Sequence, residues 1–436
     1  INSFEKYRKQ IFMYILMDPF VLKHWLNLQR SRISSYPRTA RSRSCSRTLN
    51  TYTLLTHRYN VSELKKTVFK KNYKNLEEYL EGFKYTSGVM QDSKSCERVA
   101  YEFAIDNYEE GVRYFEVRFA PQLHASIDPE DNFGIREVLK SVDRGLKRAR
   151  DAFNKKLRAD KSRSEEPRYE YGIICCAMRK FFKGMSRFYD GLYALHPDES
   201  ADEITSMASV ILVQAVQKSR DIDKVVNVCG VDIAGAERGN EAAVHEKAFD
   251  LAHRYFFHKT VHAGEGFGPE SIGQAVKYLH AERIGHGFHL FNVDQVVTKD
   301  VDAAHYVKSL VNWISDLRIT MEVCLTSNLN TMPKLKLSDH PFGKMVRNRI
   351  SVTINTDNRL VSNTSTVEEL KKAAYTFDLT AKQLRELVIT GFKRSFFPGD
   401  YPTRRKYVRQ VIDFYDSICR KHGIDDCCME PITPTK

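Results

Sequence analysis

Lys259-Thr-Val-His262-Ala-Gly-Glu265 opens the stretch that decides the fold; a helical pattern runs from Gly266 to Ala281, and Glu282-Arg283-Ile284-Gly285-His286-Gly287 closes it. Each half reads as a short buried strand that stops on catalytic residue types beside glycine, where backbone turns sharply and leaves room for a ligand. In parallel α/β barrels and sheets, working side chains stand where a strand gives way to its loop, because that rim meets solvent while the strand body fills the core. His262, Glu265 and His286 all fall at that position. A third strand end follows at Ser351-Val-Thr-Ile-Asn355-Thr356-Asp357-Asn358, a β-branched alternation closing on a carboxylate. Two histidines and two carboxylates at three strand ends suit a divalent metal with a general acid beside it.

Working outward, strands are expected at 113–119, 171–177, 225–231, 260–263, 283–284, 320–323 and 351–355, with helical patterns at 76–83, 99–108, 133–157, 201–219 and 407–420. Seven strands in a βα rhythm predict a parallel sheet closed into a (β/α)8 TIM-type barrel, one strand short, with extra helices. Residues 1–48 read as an atypical basic, disordered leader, 49–423 as the barrel and 424–436 as a loose tail. No internal repeat is evident.

Five runs together resemble the adenosine deaminase family: Val231-Asp232-Ile-Ala-Gly235-Ala-Glu237, His262-Ala-Gly-Glu265, Arg283-Ile-Gly-His286-Gly287, Leu325-Thr-Ser-Asn328 and Asn355-Thr-Asp357-Asn358. One alone would be a common chance match; all five in this order and spacing are specific. The resemblance spans residues 49–400 and takes in Asn75 to Phe83 and Gly111 to Pro121. It implies hydrolytic deamination of adenosine or deoxyadenosine to inosine in purine metabolism, with zinc as cofactor and a small purine nucleoside as partner.

That chemistry needs a nucleophile made from water, a proton for a ring nitrogen and a way to move protons; a bound zinc ion lowers the pKa of its water to about 7. By resemblance, His262 and Asp357 are metal ligands, Glu265 protonates the purine ring, and His286 orients the attacking water. Gly235 resembles the glycine whose bare backbone approaches the purine. Asn358 stands where many family members carry a second aspartate that contacts the ring, and its amide offers a donor or an acceptor. Asp232 and Glu237 read as structural, bonding loop backbone. Asn328 reads as a loop-former and His289 as a packing or surface residue.

One family element is missing. The pattern begins with His-x-His at the end of the first strand, two of the metal's ligands, and no His-x-His occurs in these 436 residues. In its place stands Pro37-Arg-Thr-Ala-Arg-Ser-Arg-Ser-Cys-Ser-Arg47, with no imidazole, carboxylate or apolar strand; Cys45, His24 and His57 are poor substitutes. Catalytic zinc takes three protein ligands, and His262 with Asp357 makes two. The shortfall predicts weak zinc binding and little or no deamination. Three readings stay open: a deaminase whose opening segment is incomplete, a nucleoside-binding pseudoenzyme, and a deaminase of another adenine compound. The chain opens on Ile rather than Met, which fits the first.

Composition sets the remaining bounds. An apolar share of 42% with 28% charged residues is ordinary for a soluble globular chain. The net charge of +13 is uneven: residues 1–62 carry eleven Lys/Arg against Glu5 and Asp18, so the rest is close to balanced and nucleic acid is not an expected partner. The Ser/Arg-rich leader resembles a transit peptide, an Arg-Ser tract or foreign sequence. Nine scattered cysteines make no disulfide framework and point to a reducing compartment. The cytoplasm is expected, or the mitochondrion if the leader is a transit peptide. No apolar run approaches the ~20 residues that span a bilayer.

Overall fold

Apolar runs bounded by turn residues become strands in the computed structural model, which describes residues 64, 66–70, 73–74, 76–225, 227–299 and 301–423. The expected leader, the barrel's opening residues through 63, the tail 424–436, and His24, Cys45 and His57 lie outside the described residues. The strands are β1 Tyr114–Phe119, β2 Glu170–Met178, β3 Val228–Ala234, β4 His258–Ala263, β5 Arg283–His286, β6 Thr320–Val323 and β7 Val352–Ile354. They form one seven-stranded sheet in sequence order, and every neighbouring pair is parallel. Among the described residues, β1 and β7 are its edges, as a barrel short of its first strand requires.

The sheet curls, and its interior side chains show how far. On β1, Phe115 is buried among apolar neighbours on the helix side, while Glu116 and Arg118 belong to the interior. Arg118 reaches Glu322 on β6 at 2.7 Å and Asp232 on β3 at 3.2 Å. Arg283 on β5 reaches Glu116 at 2.6 Å and Glu322 at 2.8 Å. Charged groups taken out of water are tolerated when they pair in this way. Outside, helices Ser93–Glu109, Ile135–Ala159, Ala201–Asp221 and Glu246–Arg254 bury Ala104, Leu139, Leu146, Leu212 and Phe249. No helix among the described residues is long and apolar enough to cross a membrane.

Several boundaries move, each for a local reason. The third strand starts at Val228 rather than 225, because Val225 N–H still bonds Ser219 O at the exit of the preceding helix and Lys224 takes φ 59°. The helix expected over 266–281 contracts to Pro269–Lys277, since the backbone N–H groups of residues 264–267 bond the Glu237 carboxylate instead of helix carbonyls. The pattern at 76–83 divides into Leu76–Leu80 and Gly82–Gly88. The last helix begins at Tyr401, six residues early, with Asp400 capping Thr403 N–H and a proline in its first turn.

Candidate active site

β4 and β5 end side by side, and their register places His262 opposite Gly285 and Ala263 opposite His286. The glycine has a steric reason: a Cβ at position 285 would come within 3.2 Å of the His262 ring and Cα. A side chain there would require the imidazole to give way. Gly287 N–H bonds Ala263 O and His289 N–H bonds Gly264 O, so the two strand ends are tied to each other. The His262 and His286 rings lie with centroids 5.3 Å apart. His286 Nε2 is 3.5 Å from Glu265 Oε2.

Glu265 is held in place by Glu237. The Glu237 carboxylate accepts the N–H groups of Gly264 at 2.6 Å, Glu265 at 2.9 Å, Gly266 at 2.7 Å and Phe267 at 3.2 Å, and bonds the Ser271 hydroxyl as well. Its expected part as a loop-bonding residue is what the geometry shows. Asp232 does more than bond loop backbone. It accepts His262 N–H at 3.2 Å, and its second oxygen stands 2.8 Å from His262 Nδ1. A carboxylate at one ring nitrogen sets the orientation of a histidine and leaves the other nitrogen to work.

Electrostatics separates the carboxyls. Burial raises the Glu265 carboxyl above the ordinary range, and the Asp357 charge adds to it against the pull of His286. Asp232 is fully buried, which would raise it, but His262 and Arg118 hold it below. Of the two carboxyls, Glu265 is shifted toward its protonated form and Asp232 toward its charged one.

Asp357 follows β7 in left-handed backbone at φ 54° and accepts the Ser327 hydroxyl at 2.6 Å. Its charge acts on both His262 and Glu265. The four residues expected at three strand ends thus lie together at one end of the sheet, close enough to interact. Tyr79, on the helix Leu76–Leu80, bonds Ser362 Oγ at 2.9 Å and feels the charges of Asp357 and Glu265, so this helix forms part of the wall. Gly235 follows β3 at φ 106°, a conformation that side chains resist, which is a backbone reason for glycine there. Asn358 caps the turn Arg359–Ser362, its amide oxygen accepting Val361 N–H at 2.9 Å, which leaves the NH2 as its free end.

Asn328 is not the loop-former expected. It lies in the helix Leu325–Thr331, fully buried, 3.3 Å from His286 Nδ1 and 3.1 Å from His340 Nε2. Ser327 and His340 were also missed. Ser327 could have been found only as the neighbour of Asn328 in the Thr-Ser-Asn run, and nothing near His340 in the chain marks it.

Among the described residues, no three His, Cys, Asp or Glu side chains gather into a group able to hold a metal ion. His262 Nε2 and Asp357 are two donors where catalytic zinc takes three. The described residues therefore do not by themselves fit a complete zinc site.

A curled parallel barrel with imidazoles and carboxyls at the ends of its strands defines a hydrolase of the TIM-barrel class. The adenosine deaminase family model matches residues 56–180 and 203–414, and the chain belongs to that family. It is 33% identical over 326 residues to adenosine deaminase 1 of Streptomyces coelicolor, covering 75% of this chain and 71% of that protein. Among solved structures it resembles Arabidopsis ADAL complexed with IMP, with TM-score 0.62 and 19% identity over 92% of this chain and 93% of that one. It also resembles the adenine deaminase of Arthrobacter aurescens, with TM-score 0.61 and 15% identity over 90% and 94%. At these identities the two structures speak for the fold alone.

Proposed function

We propose that this pocket carries out hydrolytic deamination of adenosine or deoxyadenosine to inosine or its deoxy form, as a step of purine metabolism. The observation that carries the reading is the pairing of Glu265, a largely buried carboxyl whose pKa is raised, with His286 Nε2 at 3.5 Å. Protonated Glu265 donates to a ring nitrogen of the purine, which makes C6 electrophilic. His286 orients the water. As its oxygen bonds to C6, one water proton passes to the Glu265 carboxylate and on to the amino group; the C6–N bond breaks, ammonia leaves, and the remaining hydroxyl proton returns to Glu265 as C6=O forms. The bare backbone at Gly235 admits the flat ring, and the Asn358 amide offers it a polar contact. Zinc, which the family implies, would take His262 and Asp357 and require a donor from outside the described residues.

The test is the ultraviolet absorbance change of adenosine, deoxyadenosine, adenine and the monophosphate, measured with and without added zinc. Turnover of the nucleosides is expected where a third donor from outside the described residues completes the metal set; from His262 and Asp357 alone little or none is expected. The two-donor count favours a second reading, a nucleoside-binding protein without turnover. Calorimetric binding of adenosine by a zinc-saturated chain that leaves absorbance unchanged would establish that reading and remove the first.

A further inference from the structure

Four hydrogen-bonding groups run in a line behind the catalytic imidazole. Phe342 N–H reaches His340 Nδ1 at 3.0 Å, His340 Nε2 stands 3.1 Å from Asn328 Oδ1, and Asn328 Nδ2 stands 3.3 Å from His286 Nδ1. All three side chains are buried. The Phe288 ring packs edge-on to His340 at 5.2 Å.

Only one end of this line is beyond choice, and it decides the rest. A backbone N–H can donate and never accept, so His340 Nδ1 must be the acceptor. In a neutral imidazole the other nitrogen then carries the proton, so His340 Nε2–H donates. Its partner must be the amide oxygen of Asn328, whichever way the amide would otherwise turn. The NH2 group is then the end that meets His286, and His286 Nδ1 must accept. The proton of His286 is left on Nε2, the nitrogen beside Glu265.

We propose that Asn328 and His340 are positioning residues that relay the direction of the Phe342 N–H to His286 and fix it as an Nε2–H donor toward the reacting centre. A nitrogen that already carries a proton cannot take one. His286 therefore holds an oxygen by donating to it and does not serve as the base that strips a proton from water at Nε2. Burial pushes His340 down to about 3, which keeps the relay's middle member neutral at working pH. The inference rests on the deaminase reading for what His286 acts upon, but the relay itself is independent of turnover.

The test is a long-range proton–nitrogen spectrum of the full chain labelled in histidine, recorded at mildly alkaline pH, with His286→Gln and His340→Gln spectra to assign the signals. In the unmodified protein both His286 and His340 are expected to be protonated at Nε2 and bare at Nδ1. Asn328→Asp replaces the donor facing His286 with a carboxylate oxygen, so His286 Nδ1 gains a proton while His340, still held by Phe342 N–H, keeps its pattern. A protonated Nδ1 on His286 in the unmodified protein overturns the proposal, as does a bare Nδ1 in Asn328→Asp. The first of these does not depend on Asn328→Asp folding. A chain that never deaminates yet gives the expected spectrum removes the activity and keeps the relay; turnover with the opposite spectrum does the reverse.

Discussion

Arg118 on β1 and Glu322 on β6 meet at 2.7 Å, although four strands lie between them in the sheet. The contact exists only because the sheet curls, so it measures closure directly. Glu322 also faces Arg283 at 2.8 Å and accepts the Thr260 hydroxyl at 2.9 Å. Removing it leaves the buried Arg283 and the partly buried Arg118 each short of a counter-charge. Glu322→Ala is expected to cost about 3–5 kcal/mol of stability, read as a lower denaturant midpoint at unchanged slope.

Acid should weaken the fold in two stages. Burial lowers His124 to about 4 and His245 to about 3 from the ordinary 6.5. Both stay neutral when folded but gain protons when unfolded, so their contribution is full above 6.5 and is lost as pH falls through those values. Glu322 is lowered to about 2 from 4.5: burial alone would raise it, but Arg118 and Arg283 outweigh that. Its contribution is present above 4.5 and disappears as pH falls toward 2. Unfolding free energy measured from neutral pH downward should decline from about 6.5, and His245→Gln should reduce the slope between 6.5 and 3 by up to about 1.4 kcal/mol per pH unit. An unchanged slope would show that His245 is not buried neutral.

Glu265→Gln keeps shape and hydrogen bonding but removes the proton the purine requires. A loss of about 10²–10⁴-fold in kcat with KM little altered is expected, measured by adenosine absorbance. A large rise in KM at constant kcat would assign Glu265 to binding instead.

Glu237→Ala takes away the acceptor shared by four consecutive N–H groups and the Ser271 hydroxyl. Hydrogen bonds to a charged acceptor contribute about 1.5–3 kcal/mol each, and orphaned donors add to the loss. Hydrogen exchange at residues 264–267 should accelerate sharply, with a smaller change at β4. Equal acceleration throughout the barrel would mean that Glu237 supports the whole fold rather than this loop.

Much of the architecture was legible along the chain. All seven strands were expected near where they stand, because a fully buried parallel strand is a continuous apolar run and its end is marked by glycine and polar residues. Boundaries failed where a distant group captured the backbone, as Glu237 does at 264–267. Glu265, His286, His262 and Asp357 could be named because each sits at a strand end, a position the periodicity reveals.

The order of strands, the positions of the acid and the imidazoles, and the absence of His-x-His are properties of the sequence by itself, since they depend on residue type and local period. What only the tertiary structure decided is which groups touch: Asp232 at His262, Ser327 at Asp357, and the line from Phe342 through His340 and Asn328 to His286. Those contacts join different strands and loops of the curled sheet. A hydrogen bond depends on distance and direction in space, which spacing along the chain does not encode.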